Sequence, residues 1–190
     1  MPEKKDIRRF RTRAEFRKWL TWNHRNSAGI WICFAKKSTG KKSINHAEAL
    51  DEALCFGWID GQTLKHDETS WLQKFTPRRP RSVWSKINTG HVERLIKAGL
   101  MTAAGHAEIE VAKKDGRWSA AYDSPSKATI PKDFLAALDR DKKARAFFDT
   151  LNKTNLYSIA WRLQTAKKPE TRQRRMETIL GMLSRGEKFH

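Results

Sequence analysis

Apolar residues along this chain switch repeatedly between a helical spacing and an alternating one, and the switches mark out its elements. Thr12 to Glu15 has capping-box spacing, and Phe16, Trp19 and Leu20 follow at helical intervals, which predicts a first helix over residues 13–25. Gly29-Ile30-Trp31-Ile32-Cys33-Phe34-Ala35 is apolar at odd and even positions alike, as in a strand covered on both faces near the middle of a sheet. It runs into the basic turn Lys36-Lys37-Ser38-Thr39-Gly40-Lys41-Lys42. Asn45 and Glu48 supply a second cap, with a helix to about Cys55 whose Ala47, Leu50 and Leu54 face inward. Residues 58–64 and 70–76 alternate in polarity around the polar stretch 65–69, which predicts an antiparallel hairpin. On its second strand Trp71, Gln73 and Phe75 share one face, and on its first Asp60 shares a face with Trp58 and Gln62.

Residues 88–114 have a helical pattern in two pieces, broken at Gly99-Leu100-Met101 and restarted at a Thr102 cap. A turn-rich connection, from Gly116 through Tyr122-Asp123-Ser124-Pro125 to Pro131, separates an α+β domain over residues 1–126 from a helical domain over residues 131–190. Beyond it, Ala144, Phe147, Phe148 and Leu151 repeat at helical spacing, as do Tyr157, Ala160, Trp161 and Gln164. Pro169 is well placed at the start of a last helix carrying Met176, Ile179, Leu180 and Leu183. The expected fold class is therefore α+β: a small antiparallel sheet of about three strands packed with helices, followed by a C-terminal helical bundle.

Composition changes the picture in one respect. The 190 residues, 38% of them hydrophobic and eight of them Trp, suffice for one domain with a helical extension or for two small ones. Against 21 acids, however, stand 39 Lys and Arg, a net charge of +18, which favours polyanionic partners without naming one. A general solubility trait with incidental RNA stickiness accounts for the same excess. The basic start, Met1 to Phe10, leads into no apolar run of signal-peptide type, and no stretch approaches the roughly 20 residues of a membrane span, so a cytoplasmic protein is expected. Cys33 and Cys55 fit reduced core residues. The histidines at 24, 66, 91, 106 and 190 form no metal-ligand spacing, and neither cofactor nor metal is expected.

The steepest charge bias defines the candidate site. Arg78, Arg79 and Arg81 stand between and beside Pro77 and Pro80, which keep them out of regular structure. Their planar forks suit phosphate or carboxylate, and Trp84 offers a face on which a base or cation stacks. Lys86 extends the patch, and Asp51, Asp60 and Gln62 supply a neighbouring surface of opposite sign. The competing reading makes these arginines structural, paired with Glu48, Asp51, Glu52 or Asp60. The turn at Lys36–Lys42 lacks the first glycine of a phosphate loop and reads as a solvated turn. Arg162, Lys167, Lys168, Arg172, Arg174 and Arg175 form a second basic region, either an ordinary solvated helix face or a nucleic-acid-binding module.

Three strings carry a resemblance. Glu-Ala-Leu-Asp-Glu-Ala-Leu-Cys-Phe-Gly-Trp-Ile-Asp-Gly at 48–61, Phe-Thr-Pro-Arg-Arg-Pro-Arg-Ser-Val-Trp-Ser-Lys at 75–86 and Trp-Arg-Leu-Gln-Thr-Ala-Lys-Lys-Pro-Glu-Thr-Arg at 161–172 resemble those of the YdeI/OmpD-associated family, also called bacteriocin-protection proteins. The likeness spans nearly the whole chain, and the segment from Pro131 onward is similar to that family's helical OmdA domain. It implies a link to envelope stress or bacteriocin tolerance and supplies no reaction. This chain departs from the family in having His46 where relatives often carry Tyr before the acidic helix. The leading expectation is a cytoplasmic bacterial protein that binds an anionic ligand, nucleic acid or a phosphorylated molecule. An enzyme with Asp60 or Asp51 as general base and an arginine clamp is a second reading, and a protein-docking module a third.

Overall fold

The structure is a computed structural model, and it describes residues 6–189. Met1–Lys5 and His190, which enter the readings of the basic start and of histidine spacing, lie outside them. The chain divides into two units: one comprises residues up to Ser82 together with Asn88–Ser119, the other Val83–Ile87 with the residues from Ala120 onward.

The larger unit is built on four strands, β1 (Ile7–Arg8), β2 (Ile30–Ala35), β3 (Trp58–Lys65) and β4 (Ser70–Pro77), in the order β1-β2-β4-β3. The doubly apolar β2 is an interior strand, as its composition requires. The sheet differs from expectation in one strand. Residues 7–8 pair in parallel with Trp31 and Ile32, which makes it mixed and four-stranded; a two-residue edge strand is too short to leave an alternating pattern. Antiparallel pairing of β2 with β4 aligns Ile30, Ile32 and Phe34 with Phe75, Gln73 and Trp71 on one face. Trp31, Cys33 and Leu72 cluster on the other, where the Lys74 ammonium lies 5.8 Å from the Trp31 ring centre.

Helix α1 (Arg13–Asn23) starts at Thr12, whose hydroxyl accepts from the Glu15 amide. Its Phe16 and Trp19 pack on the first sheet face, against Phe75 (5.8 Å between ring centres) and Trp58 (5.7 Å, edge to face). Helix α2 (His46–Cys55) opens with a full capping box between Asn45 and Glu48 and is buried at every position from Ala49 to Cys55. Ala47, expected to face inward, is exposed; Ala49 and Ala53 take the core positions instead, since a helix packed on several sides has no single apolar stripe. Gly57, at φ 72°, adopts the left-handed conformation that ends α2.

Helices α3 (Lys86–Lys97) and α4 (Ala103–Lys114) follow, with α3's first two residues grouped in the smaller unit. The Cys55 carbonyl at the end of α2 accepts from both the amide (3.1 Å) and the hydroxyl (2.7 Å) of Thr102, the N-cap of α4. One cap thus satisfies two helix ends at once.

The smaller unit contains α5 (Lys132–Leu138), α6 (Lys142–Phe148), α7 (Lys153–Gln164) and α8 (Pro169–Ser184). Phe134, Leu138, Phe148, Ile159, Leu163, Ile179 and Leu183 form its core. On α7 the inward stripe is Ile159, Ala160 and Leu163; Tyr157 and Trp161, which share the helical repeat read from sequence, are only half-buried.

The α2–α4 contact yields a prediction. A Cβ on Gly105 would sit 2.3 Å from the Cys55 carbonyl oxygen, which is backbone and cannot swing aside. Gly105→Ala is expected to lower unfolding stability by about 1–3 kcal/mol in urea titrations despite alanine's better helix propensity.

Candidate functional site

The connection from β2 to α2 creates the most site-like feature of the larger unit. It is pinned at several points: the Lys36 amide donates to the Thr69 carbonyl (2.8 Å), the Ala35 amide to Ser43 Oγ (3.1 Å) and the Ile44 amide to the Phe10 carbonyl (2.9 Å). Lys37–Thr39 form one turn of 3-10 helix, which Gly40 ends at φ 64°. A cleft of about 440 Å³ opens beside this connection. Lys36, Lys37 and Lys41 line it, with His46 at the start of α2 and with Phe34 and Trp71, whose rings stack at 4.7 Å and 20°. Lys36 Nζ donates to the Glu68 carbonyl (3.0 Å). Lys37 and Lys41 are exposed, and among the described residues no carboxylate forms an ion pair with either.

His46 joins the cleft to the acids. Its Nε2 lies 3.2 Å from Asp60 Oδ2, and its ring packs among Phe34, Trp71 and Phe75. Asp60 reaches it from β3 opposite Phe75, just before a bulge: the pairing steps three residues along β3 but two along β4 between Asp60/Phe75 and Thr63/Gln73. The extra residue changes which side chains share a face. Thr63, not Gln62, next shares the face of Asp60, and its hydroxyl donates to Gln73 Oε1 (2.6 Å). Gln62 is exposed.

The remaining acids of α2 are occupied internally. Asp51 is buried and accepts from Arg94 (2.6 Å), with His91 at 3.5 Å, both on α3. Glu52, 1% exposed, accepts from Arg13 and from Arg17 (2.7 Å) on α1. Its hydrogen bond raises the Arg13 guanidinium above the ordinary arginine value. Burial, then the Glu52 charge, pushes the Cys55 thiol up to about 11, which keeps it protonated and unreactive.

The arginine loop is built differently from its sequence reading. Arg78 is buried at 6% exposure, its amide donating to the Gly57 carbonyl (3.0 Å), because it continues directly from the strand end at Pro77. Arg79 and Arg81 are exposed on a turn closed from the Ser82 amide to the Arg79 carbonyl (3.0 Å). Pro80 precedes Arg81 at φ 65°, an arrangement of type II character that normally calls for glycine. Trp84, 2% exposed, is buried and so offers no open face to a base. It belongs to the smaller unit, where its carbonyl accepts from the Tyr122 amide (3.0 Å) and where Lys86 pairs with Asp123 at 2.7 Å. Hydrogen bonds from Lys86, then Gln164, hold the Asp123 carboxyl below the usual range.

The expected site therefore separates. Trp71 and Pro77 lie six residues apart on β4, roughly 20 Å, so the lysine cleft and the arginine turn sit at opposite ends of one strand. Sequence reasoning missed Lys36, Lys37, Lys41, His46 and Trp71 as a group. The available signal is the run of lysines after a strand; it lacks a phosphate-loop pattern, but a lysine cleft needs no such loop.

Residues 8–108, which include the whole cleft, match a domain of unknown function (DUF8412), and residues 127–186 match OmdA, described as Bacteriocin-protection, YdeI or OmpD-Associated. The chain belongs to the DUF8412 family and carries an OmdA domain. No curated protein and no solved structure matches it. The OmdA domain lies where the resemblance to YdeI/OmpD-associated proteins places it, and it occupies the four-helix unit. Among the described residues no helix is long and apolar enough to cross a membrane, and no cluster of ligating side chains suits a metal.

A buried carboxylate fastened by two cations predicts a specific failure. Arg13→Met with Arg17→Met strands the Glu52 charge and is expected to cost about 3–5 kcal/mol in urea denaturation. Adding Glu52→Gln should recover a large part of that loss, because the stranded charge then disappears.

Proposed function

We propose that the larger unit binds a phosphorylated ligand bearing a planar ring, a nucleotide or the end of a nucleic-acid strand, in the cleft between Lys37, Lys41 and Trp71. The observation that carries this reading is the co-location of three lysines, a stacked aromatic wall and the His46–Asp60 pair around about 440 Å³ of space. That volume falls within the range of small-ligand pockets. Lys37 and Lys41 supply charge to an anion, and Trp71, half-buried at the rim, supplies a face to a ring. The net charge of +18 concentrates anions around the whole molecule and speeds their arrival. Arg79 and Arg81, at the far end of β4, contact only a ligand long enough to reach them. The biological setting we propose is a cytoplasmic role in stress or bacteriocin protection; of these, the description of the OmdA family speaks to bacteriocin protection.

One observation favours a second reading, an enzyme acting on the same ligand. In the tautomer whose Nε2 donates to Asp60, Nδ1 is left as the acceptor, and Asp60 serves to orient the ring. The general base is then His46, not Asp60 or Asp51. Loss of turnover in His46→Gln with ligand affinity retained distinguishes this reading from simple binding.

The test is calorimetric titration of the whole chain with AMP. Lys37→Glu with Lys41→Glu is expected to weaken binding at the cleft by about tenfold or more, while Arg79→Ala with Arg81→Gly leaves it unchanged. Glycine at 81 suits the left-handed turn and so removes the guanidinium without strain. An AMP titration of the double lysine variant with the same stoichiometry and affinity as the unaltered chain sinks the proposal.

A further inference from the structure

The OmdA unit holds a second basic recess, of different construction. Arg175 Nη1 donates to the Arg162 carbonyl (2.7 Å) and to Thr165 Oγ1 (3.3 Å), which fastens α8 to the end of α7. The Arg162 guanidinium lies 4.4 Å from the centre of the Phe189 ring. Arg162, Arg174 and Arg175 line a recess of about 170 Å³. Arg162 also borders a neighbouring pocket of about 300 Å³ with Tyr157, Ser158 and Trp161. Trp161 is steadied by Tyr122, edge to face at 6.1 Å and 84°.

Charge bookkeeping sets these three arginines apart. Elsewhere in the unit Arg172 pairs with Asp133, Arg145 with Asp139 and Asp149, and Arg185 with Glu187. Among the described residues no carboxylate pairs with Arg162, Arg174 or Arg175, and Glu177, two residues from Arg175, accepts from Gln173. Three arginines, two of them half-buried, thus border one recess, and among the described residues none of the three has a carboxylate partner. The half-buried Tyr157 and Trp161 beside them lie outside the α7 core stripe.

We infer that the OmdA unit binds a nucleotide phosphate in the arginine recess, with the attached base against Trp161 and Tyr157. Planar forks suit a phosphate, and an aromatic pocket sharing one of those arginines suits the ring that the phosphate carries. A free mononucleotide and single-stranded nucleic acid present the same chemistry. The inference is independent of the lysine cleft, since it uses other residues in the other unit.

The experiment uses the full chain carrying Lys37→Glu and Lys41→Glu, so that the contribution of the cleft is strongly reduced. It is titrated with inorganic phosphate, AMP and a labelled eight-residue oligouridylate. Binding of AMP or the oligonucleotide is expected to persist in that background. Arg162→Gln with Arg174→Glu should weaken it by about tenfold or more, and Trp161→Leu by about tenfold through lost stacking. For the oligonucleotide, removing two cations should also reduce the salt dependence by about one to two units of slope. Saturable AMP binding identifies a mononucleotide as sufficient, and binding of the oligonucleotide alone identifies a nucleic-acid strand; either supports the inference. It is overturned if neither binds in the cleft-deficient background, if the arginine variant binds as its parent does, or if inorganic phosphate binds as tightly as AMP. Should the double arginine variant fail to fold, Arg174→Glu alone carries the test, because Arg174 is exposed on α8.

Discussion

The burial of one carboxylate shapes the larger unit more than any other single interaction. Glu52 sits in the middle of a helix sheltered along most of its length, so its charge must be met from inside the protein. Arg13 and Arg17 meet it from α1, Arg17 also donating to the Leu100 carbonyl (2.9 Å) in the α3–α4 connection. Asp51, one residue earlier, draws in α3 through Arg94. Two adjacent acids thus set the positions of helices that share little hydrophobic surface with one another. An apolar α2 of similar volume would bury as easily but would specify those neighbours less well.

This arrangement answers where the acids of residues 48–60 belong. Glu48 closes the capping box, Asp51 and Glu52 hold helices, and only Asp60 faces a cleft, through His46. The basic residues divide along the same line: α1 and α3 neutralise the interior, while Lys37 and Lys41 keep their charge at the surface. Excess positive charge is thus placed by exclusion, where no carboxylate is built to meet it. The same division recurs in the OmdA unit, where Arg172 and Arg145 pair with acids, while among the described residues no carboxylate pairs with Arg162, Arg174 or Arg175.

Much of the fold was legible because local signals and packing agree. Thr12, Asn45 and Thr102 cap helices where their spacing places them, and Ile30 to Ala35 is apolar because it lies between neighbouring strands. The losses came where an interaction is non-local or irregular. Residues 7–8 form a strand only because β2 offers a free edge, and the bulge after Asp60 shifts the face that strict alternation assigns to Gln62. For the site, the chemistry of the residues was legible but not their grouping. Linear proximity joined Arg78, Trp84 and Lys86 to Asp51 and Asp60, whereas Arg78 and Trp84 are buried and Trp84 and Lys86 belong to the other unit. Lys37 and Trp71 are over thirty residues apart in sequence, and only the pairing of β2 with β4 unites them.

That pairing binds the cleft to the core. β4 is bonded along both edges, and its Trp71 forms the cleft wall while Phe75, four residues on, fills the interior beneath α1. A slip of one position along β4 would send both to the opposite face together, since side chains alternate. The cleft wall therefore cannot drift while the interior stays intact: whatever anchors the one anchors the other, and a chain that has folded has, by the same act, assembled its cleft.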